Sequence, residues 1–226
     1  LFAKLFNVWL LQQDSATAHR NRVQFMLERL TQESLRCLRA GRPLKVINLG
    51  CGPAGEVQRF LAEGALADNA QFTLLDFNDE TVSYTSRLLG DLRRKHNRQT
   101  AIEVTRKSVH HVLKESSKPT INAPDRGYDL VCCSGLFDYL SDRTCKQLTN
   151  IFWHWTRPGG LVLTTNVTPT SPNRGSLELI LDWHLIYRDA ARFGTLAPSA
   201  APADGVRIYS DETGVNIFME ARKPDA

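Results

Sequence analysis

VINLGCGPAGE, residues 46–56, sets Gly50, Gly52 and Gly55 directly after an apolar run. The spacing is G-x-G-x-x-G. Between a strand and a helix, glycines so placed permit a tight turn and let the backbone approach a ligand above the strand's carboxyl end. The same three residues would also serve a plain turn, so the flanks have to decide.

Working outward, LKVINL (44–49) reads as a strand by its β-branched content and 56–63 as a helix. QFTLLD (71–76) reads as a second strand and ends in Asp76, about twenty residues beyond Gly55. An acid there can accept hydrogen bonds from both hydroxyls of a ribose. The pattern therefore predicts a ligand carrying adenosine, and it suits a nicotinamide dinucleotide and S-adenosylmethionine (SAM) alike.

The remaining chain alternates strand and helix signals. Residues 1–13 read as an amphipathic helix, and 20–40 as a helix with Val23, Met26, Leu27, Leu30, Leu35 and Leu38 at helical spacing. Helices follow at 79–96, 109–115, 141–156 and 176–193, and strands at 100–105, 128–135 and 161–167. KPTINAPDRG (118–127), TPTSPNRG (168–175) and APSAAPADG (197–205) are loops, and RPGG (157–160) a turn. VRIYS and VNIFMEARK flank DETG as two strands around a turn within 206–223. The expected architecture is α/β: a Rossmann-like, seven-stranded, mostly parallel sheet with an antiparallel C-terminal hairpin, helices on both faces and an N-terminal helical cap. The cap is assigned to 1–40 and the sheet domain to 41–226.

Composition sets bounds. The 226 residues are 42% hydrophobic and 23% charged, with net charge +4, which is far from the density of a dedicated nucleic-acid binder. No apolar run reaches the roughly 18–20 residues that cross a bilayer. The first residue is Leu1, so a missing N-terminal segment is an expectation, and LFAKLFNVWLL lacks the marks of a signal peptide. The five cysteines, Cys37, Cys51, Cys132, Cys133 and Cys145, contain no C-x-x-C pair. Neither a disulfide framework nor a metal site is expected, and the expected compartment is reducing and cytoplasmic.

A nicotinamide enzyme usually adds a separate substrate domain, and little chain remains for one. The sequence resembles the class I SAM-dependent methyltransferases over about residues 44–223. VINLGCGPAGE is similar to their first motif, LLDFND to the ribose acid and YDLVCCSGLFDYL to the motif at the fourth strand. RPGGLVLTTNV looks like the turn and strand after it, and DETGVNIFMEARKP like the closing hairpin. DWHLIYRD, DETGVNIF and the Asn21–Arg22 helix are similar, more narrowly, to bacterial proteins named for 3-hydroxypalmitic acid methyl ester synthesis. Those methylate the carboxyl group of a hydroxy fatty acid. The resemblance implies SAM as cofactor, held by Asn48, Gly50, Cys51, Gly52, Gly55, Asp76, Phe77, Asn78, Ser108, Val109, Ser134, Gly135, Leu136 and Phe137. Two stretches depart from the family pattern: Asn48 stands where many members carry an acid, and RKSVHH (106–111) lacks the usual adenine-contacting acid, leaving Ser108 and Val109 for that task.

Methyl transfer from SAM is an in-line displacement, so holding nucleophile, methyl and sulfur in line supplies much of the catalysis. A carboxylate acceptor needs no general base, whereas a hydroxyl or amine often does. After strand four, Phe137 and Tyr139 could wall the sulfonium by cation–π contact, and Asp138 could be a base or a substrate contact. In DWHLIYRD, a helix would put His184, Tyr187 and Arg188 on one face. Arg188 could grip a carboxylate or phosphate, His184 could act as a base, and Trp183 could line an acyl pocket. The catalytic candidates are thus Asp138, His184, Tyr187 and Arg188, and the substrate contacts Tyr139, Asn166 and Trp183. His110, His111 and His154 read as surface residues. Arg87, Arg93, Arg94, Lys95, His96 and Arg98 form a basic run: a solvated face, or a dock for a substrate on an acidic carrier protein. The expected partner is a small acyl molecule. Three other functions stay open: nucleic-acid methylation, NAD-dependent oxidoreduction, and a non-catalytic binding protein with this fold.

Overall fold

The computed structural model describes residues 2–116, 127–172 and 174–225. Most of the loop expected at 118–127 lies outside the described residues.

Seven strands form one sheet: β1 (Leu44–Leu49), β2 (Ala70–Asp76), β3 (Ala101–Arg106), β4 (Tyr128–Cys133), β5 (Thr156–Val167), β6 (Val206–Ser210) and β7 (Asn216–Arg222). Their order is β3-β2-β1-β4-β5-β7-β6. β1 to β5 are parallel neighbours; β7 enters antiparallel between β5 and β6. Eight helices surround the sheet among the described residues: α1 (Phe2–Leu11), α2 (Asp14–Arg39), α3 (Gly55–Glu63), α4 (Asp79–Lys95), α5 (Val109–Ser116), α6 (Asp142–Trp155), α7 (Arg174–Leu181) and α8 (Ala190–Gly194).

Alternation along the strands explains the two cores. Val46 on β1 and Leu130 and Cys132 on β4 face Met26, Leu27 and Leu30 of α2 and Phe60 of α3. Ile47, Leu49, Val131 and Cys133 face Leu148 and Phe152 of α6 and Phe193 of α8. Central strands covered on both faces read as continuous apolar runs, which is why β1 and β4 were visible in the sequence. All five cysteines are free and buried in these layers. The helices begin on side-chain caps where the sequence supplies them: Asn78 Oδ1 accepts from the Thr81 amide at 2.9 Å, and Ser141 Oγ from the Thr144 amide at 3.3 Å.

α2 is longer than its apolar repeat predicts, and it is locked to the far strands by polar links. Arg29 pairs with Glu220, Glu33 with Arg222, Asn21 Nδ2 donates to Asp211 Oδ2 at 3.0 Å, and Asn216 Nδ2 donates to the Ala18 carbonyl at 2.8 Å.

Two expectations are corrected. RPGG is not a separate turn but part of the β5 strand. Tyr128 pairs with Thr156 and Leu130 with Leu161, so extra residues bulge out around Gly159, whose φ is +71°. The helix expected over 176–193 breaks into α7 and α8, with irregular chain between them. Asp182 turns at φ +48°; the Ile186 amide then donates to the Asp138 carbonyl at 2.7 Å and the Arg188 amide to the Val167 carbonyl at 3.1 Å. These distant acceptors pull out a segment whose local pattern is helical.

Candidate functional site

The strand order reverses direction between β1 and β4, and a crevice opens at their carboxyl ends, where such sheets hold ligands. A cavity of about 250 Å³ occupies it, lined by the glycine loop (Asn48, Gly50, Cys51, Gly52, Gly55), Asp76, Phe77, and Ser134, Gly135 and Leu136 after β4. The loop is shaped by its backbone. Gly50 and Gly52 sit at φ +72° and +51°, and the Gly50 and Cys51 amides both donate to the Leu75 carbonyl. A Cβ on Gly52 would meet nothing within 4 Å: that side of the backbone faces open space, as close approach of a ligand requires. Ala54 ends the loop at φ +53° without being glycine, a local strain beside the cavity.

Asp76 is 6% exposed. Its Oδ2 accepts from the Gly52 amide and its Oδ1 from the Asn78 amide, each at 3.0 Å. Each oxygen keeps a second lone pair, so the carboxylate is both the brace of the loop and an available acceptor for a diol.

A second, larger cavity of about 730 Å³ lies beside the first, between α1, the start of α2, the 177–187 stretch and the segment after β4. Leu10, Leu11, Val167, Leu177, Leu181 and Leu185 give it apolar walls; Asp138, Tyr139 and Tyr187 are polar groups on its lining. His19, Arg22 and Gly135 line both cavities. The Arg22 guanidinium lies over Gly135, with Nη1 3.1 Å from where a Cβ would stand, and its Nη2 is 2.9 Å from His19 Nδ1.

Asp138 is 3% exposed and its Oδ1 accepts from the Val167 amide at 2.7 Å. Burial pushes its carboxyl up to about 6, against the opposing pull of the Val167 amide, Arg22 and Arg188. Tyr139 and Trp183 meet over the larger cavity, the indole Nε1 donating to the Tyr139 hydroxyl at 2.7 Å.

Several expected site residues are placed elsewhere. Arg188 is wholly buried and its guanidinium is used internally: Nε donates to Asp142 Oδ1, Nη1 to the Phe137 carbonyl and Asn166 Oδ1, and Nη2 to the Leu140 carbonyl, with Nη2 also ion-paired to Asp142 Oδ1. It lines neither cavity, so it does not grip a substrate anion there. Asn166, expected to touch substrate, is also wholly buried and donates to the Val167 and Ile186 carbonyls. Phe137 does not wall a ligand; it stacks on Phe152 in the core, ring centroids 6.4 Å apart. His184 is exposed and pairs with Asp182 at 3.0 Å, outside both cavities and away from the face expected to join it to Tyr187. Tyr187 lines the larger cavity beneath the Arg174 guanidinium, 4.3 Å from its ring centre. Asn78 caps α4, Ser108 bonds His111 at the head of α5, and Val109 packs on the second core; none of the three lines the smaller cavity.

Two residues there escaped the sequence reading. Glu56, in the first turn of α3, lines the smaller cavity and accepts from Asn48 Nδ2 at 2.9 Å. Burial pushes its carboxyl up. The available signal was the pairing of Asn48, where an acid was expected, with an acid eight residues on. Arg22 stood out only within the helix that carries the narrower resemblance, with no site role attached, because its place at the cavity depends on how α2 packs.

Solved structures resemble this chain in fold. A structure described as a possible exported protein from Bordetella parapertussis superposes with TM-score 0.71 at 21% identity, over 96% of this chain and 72% of that one. Magnesium protoporphyrin IX methyltransferase from Synechocystis, solved with bound S-adenosylhomocysteine, gives 0.55 at 11%, over 89% and 85%. An O-methyltransferase family protein from Burkholderia thailandensis gives 0.57 at 13%, over 90% of this chain and 56% of that one. The fold is that of SAM-dependent methyltransferases. Neither a protein-family model nor a curated protein sequence matches the chain. Among the described residues no helix is long and apolar enough to cross a membrane.

Proposed function

We propose that this chain is a SAM-dependent methyltransferase acting on a small, partly apolar molecule. One observation carries the reading: the crevice braced by Asp76 adjoins an apolar cavity at Gly135, so cofactor and acceptor would meet at the end of β4. The residues present suit the cofactor. Gly52 leaves room for close backbone approach, Asp76 offers acceptors to ribose, and Phe77, 62% exposed, stands at the rim. When bound, SAM supplies an electrophilic methyl on a sulfonium leaving group. The chain's own task is then to orient the acceptor and exclude water, which the walls from α1 and the 177–187 stretch serve.

Within this reading the favoured acceptor is the carboxyl group of a hydroxy fatty acid. The apolar lining suits an acyl chain, and a carboxylate needs no base. A hydroxyl acceptor is the second reading, favoured by Asp138: its Oδ2 receives no hydrogen bond among the described residues, its carboxyl sits near 6, and it lines the acceptor cavity, as a general base would. NAD chemistry is disfavoured because dinucleotide sheets commonly run 3-2-1-4-5-6 in parallel, without an antiparallel strand inserted before the last. The modest net charge of +4 disfavours a nucleic-acid substrate. An acidic carrier would have to approach from elsewhere than the basic run, because α4 ends in Lys95 just before β3 begins, at the amino ends of the strands.

Calorimetric titration with S-adenosylhomocysteine and, separately, with NAD tests the proposal. Micromolar affinity for the first alone is expected; affinity for NAD alone, or for neither, overturns it.

A further inference from the structure

Resting on the cofactor reading above, the charges lining the smaller cavity beside the glycine loop suit one particular part of that cofactor. Asn48 is 3% exposed, and its Oδ1 has no hydrogen-bond partner while its Nδ2 is taken by Glu56. A buried amide oxygen without a partner costs free energy unless a ligand supplies a donor. Glu56 lies beside it, 8% exposed, with one carboxylate oxygen on Asn48. Arg22 lines the same cavity, reached by the fields of both Glu56 and Asp138; its side chain makes one hydrogen bond among the described residues, to His19. A buried anion and a half-buried cation lining the same cavity match a ligand that carries both charges on one carbon.

We propose that Glu56 and Arg22 clamp the α-amino-acid end of the cofactor, Glu56 and the free Asn48 Oδ1 taking the ammonium and Arg22 the carboxylate. The acid absent from the end of β1 is thereby supplied one element later, from the first turn of α3. Asn48 positions it, since an acid at both places would set two carboxylates within hydrogen-bond distance in a buried site, and one would be driven to protonate. Arg22 ties the clamp to α2, so the N-terminal helix takes part in cofactor binding. Bringing an ammonium to Glu56 also offsets the burial that disfavours its ionised form.

Three probes separate the charges: S-adenosylhomocysteine, its decarboxylated analogue S-adenosyl-3-thiopropylamine, and 5′-methylthioadenosine, which lacks the amino-acid end. Calorimetry on the wild type, Arg22→Met, Arg22→Lys and Glu56→Gln is the experiment, with circular dichroism confirming that each variant folds. Arg22→Met should weaken S-adenosylhomocysteine at least tenfold and leave the thiopropylamine unchanged, with Arg22→Lys retaining part of the loss. Glu56→Gln should weaken both amine-bearing probes and leave methylthioadenosine unchanged. Equal weakening of all three probes by either variant, or no change in S-adenosylhomocysteine binding, overturns the clamp. If the wild type binds methylthioadenosine as tightly as S-adenosylhomocysteine, the clamp fails while the cofactor reading stands; if it binds none of the three, both fall. Should Arg22→Met not fold, Arg22→Lys and Glu56→Gln decide by the same comparisons.

Discussion

Arg188 and Asp142 form an ion pair of 2.8 Å that joins the irregular stretch before α8 to the first turn of α6. The arginine end is wholly buried and the carboxylate end half-open to solvent. Burial of this kind is tolerated because all three guanidinium nitrogens are hydrogen-bonded. Arg188→Met would take a donor from the Phe137 and Leu140 carbonyls and leave Asn166 Oδ1 and Asp142 Oδ1 without the guanidinium. A loss of about 3–5 kcal/mol is expected, read from urea denaturation; a variant as stable as the wild type would show that the pair is idle.

Asp76 has two tasks, and substitution separates them. Asp76→Ala removes the brace on the Gly52 and Asn78 amides together with the acceptors for ribose. Affinity for S-adenosylhomocysteine should fall at least tenfold, about 1.4 kcal/mol, while the sheet stays folded. Titration of a folded variant with wild-type affinity would remove Asp76 from the site.

Gly52→Ala asks whether the open side of the loop is used. A side chain at φ +51° costs roughly 1 kcal/mol of backbone strain. That modest loss in melting temperature should accompany a larger loss of cofactor affinity, since the added methyl points into empty space. Strain without loss of affinity would place the ligand elsewhere.

Asp138 gives the pH dependence a sign. Its folded carboxyl is raised from 3.8 to about 6, so the stability linked to its protonated form is fully present below about pH 4 and is lost as pH rises through 6. Asp138→Asn keeps an acceptor for the Val167 amide and has no charge to bury. It should be more stable than the wild type at pH 8, by on the order of 1–3 kcal/mol, with the advantage gone at pH 4. If a hydroxyl is the acceptor, the same variant loses activity, and the wild-type rate climbs through pH 6; a rate flat across that range supports a carboxylate acceptor.

What the sequence disclosed follows from the range of each interaction. β1, the glycine loop and Asp76 are neighbours in the chain or separated by one helix, and their patterns are local. The break at 182–189 is not local. SLELILDWHLIYRD carries helical spacing, but acceptors on the Asp138 carbonyl, the Val167 carbonyl and Asn166 draw the chain out, and nothing between 176 and 193 records their positions. The same holds for Arg188 and Asn166, polar residues whose placement looked functional until their partners were known. Glu56 marked only the start of a helix in the sequence, because its pairing with Asn48 depends on how α3 packs.

The direction of β7 bears on how such experiments are set up. It starts with Asn216 opposite Val167, at the crevice end of the sheet, and finishes with Arg222 opposite Leu161; the Lys223 carbonyl then accepts from the Gly159 amide. α1, by contrast, lines the larger cavity through Asn7, Leu10 and Leu11. A purification handle or surface tether fused after Lys223 would leave from the face of the molecule remote from both cavities, whereas one fused ahead of Phe2 would be carried on the helix that walls the larger cavity. Immobilised binding assays on this protein should therefore be anchored through the carboxyl terminus.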